Sequence, residues 1–181
     1  MAGYSDEELL ELFFKGDNPA YAFNMIVRKY QQSLYWHIRR LVIVHDDAND
    51  ILQEVFIKAW TGLEKFRRDS GLFTWLYRIA TNEALTFLKR KKKRFFLPIN
   101  DVDKNLADSL ESDVYYEGNA IEKKIQQAIL TLPEKQRAVF NLRYHDEMKY
   151  EDMAKVLDTS EGALKASYHH AVKKIEKFII T

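Results

Sequence analysis

The stretch MAKVLDTSEGALKASYHHAVKK, Met153 to Lys174, contains a short amphipathic segment, a polar break and a longer amphipathic segment. Asp158, Thr159 and Ser160 form the break, and residues of these types favour turns. Apolar side chains recur at helical spacing on both sides of it. The stretch therefore predicts two helices joined by a tight turn. We expect Asp158 to adopt the left-handed backbone conformation that such a turn commonly requires.

The longer segment, from Ser160 to about Phe178, has two contrasting faces. An apolar stripe runs from Leu164 to Ile175 and is expected to be buried. The opposite face carries small residues, which let the backbone approach a surface, and basic residues, which bind phosphates. These features predict a helix-turn-helix whose second helix lies in the major groove of duplex DNA. The predicted DNA-contacting residues are Ser160, Gly162, Lys165, Ala166, His169, His170 and Lys173.

The adjacent histidines at 169 and 170 raise the question of a metal site. Successive residues of a helix point about 100° apart, so the two rings do not converge as an i, i+4 pair does. His145 has no obvious carboxylate partner at a useful spacing. We therefore expect no metal and no cofactor. A merely solvated helix face remains the alternative to DNA contact.

The composition excludes several classes of protein. Among the 181 residues, 46% are apolar, yet no run approaches the roughly 18 apolar residues of a membrane helix. The N-terminus, MAGYSDEELLELFF, has acids where a secretory signal has basic residues. Cysteine is absent, which excludes disulfide frameworks and thiolate nucleophiles. We expect a cytoplasmic protein without membrane insertion.

Charge is segregated along the chain, although the formal net charge is only +1. Residues 89–94, KRKKKR, form an uninterrupted basic block, for which a solvated helix end is the alternative interpretation. Residues 97–119 are acidic, contain a proline and a glycine, and lack sustained helical periodicity. Helical periodicity prevails elsewhere. We predict an all-α protein with two small helical domains, 1–96 and 120–181, joined by a flexible acidic linker over 97–119.

A helix predicted around residues 48–60 has an unusual outward face. Ala48, Val55 and Ala59 fall on one side and are expected in the core. The opposite side mixes acids with an isoleucine, and two aromatics lie on its flank, which suits docking of another helix. The alternative is that Phe56 and Trp60 pack under a neighbouring loop.

The next predicted helix combines aromatic, amide and cationic side chains. It follows the polar loop EKFRRDSG, residues 64–71, and runs into the basic block. Aromatic rings interleaved with arginine and asparagine suit unstacked bases better than an intact duplex. A core position for Trp75 remains an alternative. The outward face is predicted to carry Thr74, Arg78, Thr81, Asn82 and Leu85, with Trp75 at its edge.

Three segments carry a family resemblance: DDANDILQEVFIKAW, FRRDSGLFTWLYRIATNEALTFLKR and LPEKQRAVFNLRYHDEMKYEDMAKVLDTSEGALKASYHHAVKKIEKF. Together they resemble the two conserved domains of a bacterial RNA polymerase sigma factor of the sigma-70 family, extracytoplasmic-function group. The resemblance covers nearly the whole chain. It implies that the N-terminal domain binds the clamp helices of the largest polymerase subunit and opens the minus-ten promoter element. It also implies that the C-terminal domain reads the minus-thirty-five element, contacts the flap of the second-largest subunit, and that an anti-sigma factor binds the protein.

The resemblance assigns roles to individual residues. Its polymerase-binding face falls on Asn49, Asp50, Gln53, Glu54, Phe56 and Trp60. Its minus-ten contacts fall on Phe66, Arg67, Arg68, Asp69, Ser70, Thr74, Trp75, Arg78 and Asn82. The promoter-reading helix departs from the family's usual GTVRSRIFRAR, because Lys165 replaces an arginine, Ala166 a serine, and the two histidines an aromatic and an arginine. These departures leave the promoter sequence open.

Two other classes of function stay open on the residues alone. A stand-alone DNA-binding regulator would use the same helix-turn-helix but needs a dimer surface for paired half-sites. An enzyme acting on nucleic acid would need convergent carboxylates, a nucleophile or a phosphate-binding glycine loop, and none is apparent. We expect a protein that is not an enzyme. The one odd carboxylate, Glu83, is expected to pair with a basic neighbour.

Overall fold

The computed structural model describes residues 3–94, 99–116 and 119–181, with only the backbone described at 99–102. Within these residues the protein is all α-helical, as the periodicity predicts. One short 3-10 helix spans Val114–Tyr116. The α-helices are α1 (Asp6–Lys15), α2 (Pro19–Val42), α3 (His45–Leu63), α4 (Leu72–Arg94), α5 (Ile99–Glu111), α6 (Ala120–Leu130), α7 (Glu134–Tyr144), α8 (Tyr150–Leu157) and α9 (Glu161–Ile180).

Helices α1 to α4 pack around a shared apolar core. α1 begins with a capping box, in which the Ser5 hydroxyl accepts from the Glu8 backbone N–H and the Glu8 carboxylate accepts from the Ser5 N–H. α2 begins with Asn18 as its cap and Pro19 in its first turn. Fully buried side chains from α2, α3 and α4, such as Leu34, Val55 and Leu76, form the centre. This bundle holds α3 and α4 in fixed positions, each with one face toward solvent.

The acidic segment contains a helix, which corrects the expectation that it lacks helical periodicity. α5 buries Leu106 and Leu110, which lie four residues apart and so share one face. Val102 precedes these two residues at helical spacing, so the pattern is present in the sequence, although the acidic composition of the segment favoured a linker. The predicted domain boundary between residues 96 and 97 lies outside the described residues, as do Pro98 and Gly118, so the boundary stays a prediction.

Two arginines explain part of the acidic character of this segment. Arg39 of α2 forms an ion pair with Asp113, and both side chains are nearly buried. Arg137 of α7 is fully buried and donates to Asp103 at 3.1 Å. Arg137 also donates to the carbonyl oxygens of Leu130 and Leu132, each at 3.1 Å. The acids therefore neutralise buried cations of the domains on either side.

Helices α6 to α9 form the C-terminal domain. α6, α7 and α9 bury Ile129, Phe140 and Ala171 in a second apolar cluster. α8 and α9 meet at a tight turn in which Asp158 has φ 50° and ψ 53°, the left-handed conformation that the sequence predicts. Ser160 caps α9 by accepting from the Ala163 N–H at 3.2 Å. The helix-turn-helix geometry is thus present.

The two domains contact each other directly. α8 packs along α4, and α7 packs against α2. Met153 and Val156 of α8 belong to the same buried apolar cluster as Leu76 of α4. Lys92 of α4 forms an ion pair with Glu134 of α7 at 2.5 Å. No described helix is both long and apolar enough to cross a membrane.

Candidate functional site

A cavity opens between the loop at residues 64–71 and the start of α4. Its volume is about 430 Å³, within the range of about 300–1,000 Å³ that is typical of ligand pockets. The wall combines aromatic, hydroxyl and charged side chains. Its lining consists of Lys65, Phe66, Arg67, Asp69, Ser70, Thr74, Trp75, Arg78 and Lys155. Seven of the nine predicted minus-ten residues therefore meet at one place.

Trp75 is held from two sides while it lines this cavity. Its ring centroid lies 5.0 Å from that of Phe66, at a tilt of 43°. On the α3 side, a β-carbon placed on Gly62 would lie 3.2 Å from Cζ2 of Trp75. Trp75 is half-buried and joins the edge of the core. Trp75 therefore contacts the core on one side and lines the cavity on the other, so a core position and a position open to a base both describe part of its environment.

Several polar side chains on α4 occupy different environments. Arg78 and Asn82 are exposed, as predicted. Thr74 is only 4% exposed, although it lines the cavity. The outward positions predicted for Thr74 and Thr81 are wrong, because both residues are buried, and Thr81 lies 2.8 Å from Nε2 of His37 on α2. Its hydroxyl donates to the Tyr77 carbonyl at 2.7 Å.

The loop before α4 presents its cations to solvent. Arg67 and Asp69 are exposed, and Nε of Arg67 lies 3.4 Å from Oδ2 of Asp69. Arg68 is exposed, has a left-handed backbone with φ 59°, and lies over the ring of Phe14 at 5.6 Å. α4 begins at Leu72, and the Ser70 hydroxyl donates to the Gly71 carbonyl at 3.4 Å. Cationic groups and aromatic rings, the two kinds of side chain that bind unpaired strands, thus both occur at this loop.

The outward face of α3 has the predicted mixed character. Asn49, Asp50, Gln53 and Glu54 are all exposed. Trp60 is 42% exposed, and it lies beside the exposed face. These residues form one continuous polar and aromatic surface along α3, which suits a docking helix.

The aromatic flank of α3 is anchored by helices and not by a loop. The Trp60 ring lies 5.1 Å from Phe23 and 5.9 Å from Phe13, in edge arrangements. Phe56 lies 6.4 Å from Phe23. The alternative in which both rings pack under a loop is therefore wrong, since α1 and α2 supply the contacts. Glu83 forms an ion pair with Lys58, as expected for an isolated carboxylate.

The predicted DNA-reading face of α9 is free of intramolecular cover. All seven predicted residues, Ser160, Gly162, Lys165, Ala166, His169, His170 and Lys173, are exposed. No atom lies within 4 Å of a β-carbon placed on Gly162, so a ligand backbone has room to approach.

The basic and histidine side chains of α9 have defined surroundings. Lys165 Nζ lies 5.6 Å from the ring centroid of Tyr150, which also contacts Arg143 at 5.0 Å. His169 and His170 have ring centroids 6.0 Å apart. Among the residues that the structure describes, no three His, Asp or Glu side chains come together as metal ligands. The chemistry available on α9 is therefore hydrogen bonding and charge.

Sequence reasoning missed the polar contacts between the domains. His37 of α2 is fully buried and lies 2.9 Å from Asp146, which follows α7. These two residues are 109 positions apart, and neither belongs to a recognisable motif. No signal in one sequence connects them, because only the packing of α7 on α2 brings them together.

The described residues thus form a helical protein with a cavity lined by aromatic and cationic side chains and with a helix-turn-helix in its C-terminal domain. The family described as sigma-70 region 2 matches residues 26–94, and sigma-70 region 4 matches residues 122–175. The chain is 35% identical to the RNA polymerase sigma-H factor of Pseudomonas aeruginosa, over 95% of this chain and 92% of that protein. It is 34% identical to the ECF RNA polymerase sigma-E factor of Escherichia coli K12, over 95% and 93%. The chain therefore belongs to the sigma-70 family, as an extracytoplasmic-function (ECF) sigma factor that directs promoter-specific transcription initiation.

Solved structures support the fold. The sigma factor RpoE from Bartonella quintana, solved in complex with the anti-sigma factor NepR, aligns with a TM-score of 0.69 at 20% identity and covers 88% of this chain and 97% of that one. CnrH, solved in complex with the cytosolic domain of CnrY, aligns with a TM-score of 0.69 at 23% identity and 96% coverage of both chains. At these identities the likeness concerns the fold alone.

Proposed function

We propose that the cavity between residues 64–71 and α4 captures an unpaired base of the minus-ten element. The observation that carries this proposal is the convergence of Phe66, Trp75 and Arg78 on one open cavity of about 430 Å³. Extrusion of a base from a duplex costs a few kcal/mol. Stacking on an aromatic side chain contributes about 1–3 kcal/mol per base, so one stacked base with cationic flanks offsets that cost.

The proposed polymerase contact is the exposed face of α3. Asn49, Asp50, Gln53 and Glu54 supply polar groups, and the partly exposed Trp60 supplies an aromatic anchor of the kind that dominates protein interfaces. We assign this face to the clamp helices of the largest subunit. The C-terminal domain is assigned to the flap of the second-largest subunit. The polymerase supplies all catalytic chemistry, and this chain supplies the promoter address and the strand opening.

The proposed minus-thirty-five reader is α9. Lys165, His169 and His170 stand exposed, with donors for base edges and phosphates. Lys173 lies further along the same helix and suits a phosphate contact. Because the family's usual arginines are replaced here, the preferred sequence is expected to differ from that of relatives with GTVRSRIFRAR at this helix.

An anti-sigma factor is a further proposed partner. Bartonella quintana RpoE is solved with the anti-sigma factor NepR, and CnrH is solved with the cytosolic domain of CnrY. Both align with this chain over most of its length. We therefore propose that a protein of this class, acting in the cytoplasm, covers exposed faces of this chain until transcription is required.

The minus-ten proposal is tested with holoenzyme, which is core polymerase with this chain bound. The promoter is one identified beforehand by selection with the native holoenzyme. A 2-aminopurine in the minus-ten non-template strand reports unstacking by its fluorescence. Trp75→Ala and Arg78→Ala are expected to reduce the fluorescence rise while polymerase binding is retained. Arg28→Ala, which removes an exposed arginine of α2, is the matched control. An unchanged fluorescence rise in both cavity variants refutes the proposal.

A further inference from the structure

A smaller cavity is formed by α2, the 3-10 helix, α6 and the end of α7. Its volume is about 160 Å³. Because a cavity of about 150 Å³ holds one benzene ring, this one is sized for a molecule with a single six-membered ring. None of its lining residues belongs to the α3 face, to the minus-ten cavity or to α9. They are Trp36, Arg40, Tyr115, Tyr116, Glu122, Ile125, Gln126, Tyr144 and His145.

Four aromatic rings line this cavity, and other rings hold them in place. Trp36 of α2 and Tyr115 of the 3-10 helix have ring centroids 4.4 Å apart, at a tilt of 42°. Tyr116 is buried and meets Tyr115 edge-on at 5.0 Å. Tyr144 stacks on Phe140 at 5.0 Å, with 18° between the planes. The flat walls are therefore formed without a ligand, and they suit a planar ring.

The surface around this cavity is apolar. Tyr115 and Tyr144 are 54% and 52% exposed, although both rings are large. Val114 and Ile121, which adjoin lining residues in the sequence, are also exposed. Single apolar residues on a surface are ordinary, whereas several of them together mark a binding site. The arrangement therefore indicates a ligand site.

The cavity wall includes an imidazole that can bind a polar group. Nε2 of His145 is shielded from solvent and has no hydrogen-bond partner among the described residues, which costs free energy. Burial, followed by the positive charge of Arg40, lowers the pKa of His145 to about 4, so the ring is neutral at pH 7. A neutral imidazole has one donor and one acceptor nitrogen, and a hydroxyl group pairs with either.

The charges around the cavity favour an uncharged ligand. Arg40 opposes a second positive charge, as its effect on the pKa of His145 shows, although Asp146 Oδ1 lies 3.7 Å from its Nη1. Glu122 is exposed and opposes an anion. Aromatic walls can bind an organic cation, but the arginine makes that choice unfavourable here. An uncharged ring with one hydroxyl group fits the size, the flat walls and the imidazole.

We propose that this cavity binds a single-ring phenol, with the ring against Trp36 and Tyr144 and the hydroxyl group hydrogen-bonded to His145. The Tyr144 ring lies 5.0 Å from the imidazole and is half exposed, so it can turn aside to admit the hydroxyl group. The site is independent of the proposed function, since it uses neither the polymerase face nor the DNA-binding residues. A bound phenol stabilises the folded chain by mass action.

The proposal is tested by fluorine NMR on the free, full-length native protein with three probes. The probes are para-fluorophenol, fluorobenzene, which lacks the hydroxyl group, and para-fluorobenzylamine, which carries a positive charge. We expect saturable broadening of the para-fluorophenol signal, with a dissociation constant on the order of 1 mM or below. Fluorobenzene should bind about 3- to 10-fold more weakly, the effect of one hydrogen bond. The amine should bind more weakly than para-fluorophenol.

Variants locate the binding at this cavity. His145→Leu removes the imidazole, so para-fluorophenol should bind it no better than fluorobenzene does. Tyr115→Ala removes one aromatic wall and should weaken both of these probes. Tyr21→Ala, which removes an exposed tyrosine of α2 outside the cavity, is the matched control and should leave both affinities unchanged. Circular dichroism melting checks that each variant is folded.

Three results would overturn the phenol site. The first is the absence of saturable binding of para-fluorophenol to the native protein. The second is unchanged binding in the folded Tyr115→Ala and His145→Leu variants, which would place the probe elsewhere. The third is tighter binding of the amine than of para-fluorophenol, which would show that the site selects cations. None of these results bears on polymerase or promoter binding, and failure to bind polymerase would leave the NMR result intact.

Discussion

A β-carbon on Gly62 of α3 would lie 3.2 Å from Cζ2 of Trp75 on α4, so the absence of a side chain at Gly62 sets the position of the indole. Gly62→Ala is expected to displace Trp75 by a few tenths of an ångström. Because alanine favours a helix over glycine by about 1 kcal/mol, this gain offsets the cost of displacing the indole, and the free energy of unfolding should change little. Affinity of the holoenzyme for a single-stranded minus-ten oligonucleotide should fall about three- to tenfold, a fraction of one base-stacking contribution.

The matched control for this prediction is Gly71→Ala, since no atom lies within 4 Å of a β-carbon at that position. It adds the same methyl group at the other end of the loop and should leave the affinity unchanged. Fluorescence anisotropy measures both variants. Equal affinities for native holoenzyme and Gly62→Ala holoenzyme would show that the indole position does not matter for strand binding.

The assignment of the α3 face to polymerase predicts that substitutions on this face weaken polymerase binding and that substitutions elsewhere on the surface do not. Asp50→Ala and Gln53→Ala remove exposed side chains and should weaken binding to core polymerase about 5- to 30-fold, the range of an interface residue worth about 1–2 kcal/mol. The melting temperature should not change. Asp17→Ala, an exposed acid between α1 and α2, is the control. Undiminished affinity in both α3 variants would remove this face from the interface.

The assignment of α9 as the promoter reader predicts that substitutions on this helix weaken promoter recognition and leave polymerase binding unchanged. Lys165→Ala and His169→Ala should each reduce promoter-specific initiation by about 1–3 kcal/mol per lost base contact, with polymerase binding unchanged. Tyr150→Leu should weaken initiation less, because it removes only the ring beneath the Lys165 ammonium. Transcription in vitro at fixed salt concentration measures these effects. Lys177→Ala, an exposed lysine in the last turn of α9, is the control. Equal transcription by native and variant holoenzymes would exclude α9 as the reader.

The turn between α8 and α9 gives a prediction about stability. Asp158 has a left-handed backbone, which costs a non-glycine residue roughly 1–2 kcal/mol and is tolerated best by Asp and Asn. Asp158→Val should therefore destabilise the protein by about 1–2 kcal/mol, while Asp158→Gly should be close to neutral. Urea unfolding measures both. Equal stabilities of the valine and glycine variants would contradict the backbone requirement.

His145 predicts a pH dependence of stability. Burial, followed by the positive charge of Arg40, lowers the pKa of His145 from 6.5 to about 4. The unfolded chain therefore binds this proton more readily, so stability is complete above about pH 6.5 and is lost as the pH falls toward 4. Because the ring is partly exposed, we expect a loss of about 2 kcal/mol.

The measurement compares urea midpoints at pH 7 and pH 4.5 for the native protein and His145→Gln. The Nε2 atom of His145 has no hydrogen-bond partner among the described residues, so the substitution removes no strong contact. The native protein should lose more stability between the two pH values than the variant does. Identical losses would show that His145 does not titrate in this range.

Local features of the fold were predictable because they depend on residues close in sequence. The left-handed Asp158 appears as predicted, and the Ser5 and Glu8 capping box and the Asn18 and Pro19 helix start follow equally local patterns. The helix α5 was missed, although Val102, Leu106 and Leu110 recur at helical spacing in the sequence. The acidic composition of the segment, with Pro98 and Gly118, favoured a linker instead.

Features that depend on docking of the domains were not predictable. The face of α4 that the sequence marks as outward includes Thr81, yet Thr81 is fully buried beside His37 of α2. The buried pair of His37 and Asp146 arises from docking of the domains. An amphipathic pattern shows that one face of a helix is polar, but it does not show whether that polar face contacts another domain.

The central claim is that this chain acts through RNA polymerase. The most direct test is size-exclusion co-elution of the purified chain with bacterial core RNA polymerase, combined with its affinity for duplex DNA when it is alone. We predict co-elution in a one-to-one complex and little affinity of the free chain for duplex DNA. Failure to co-elute, together with tight sequence-specific binding to duplex DNA, would contradict the account and favour a stand-alone regulator.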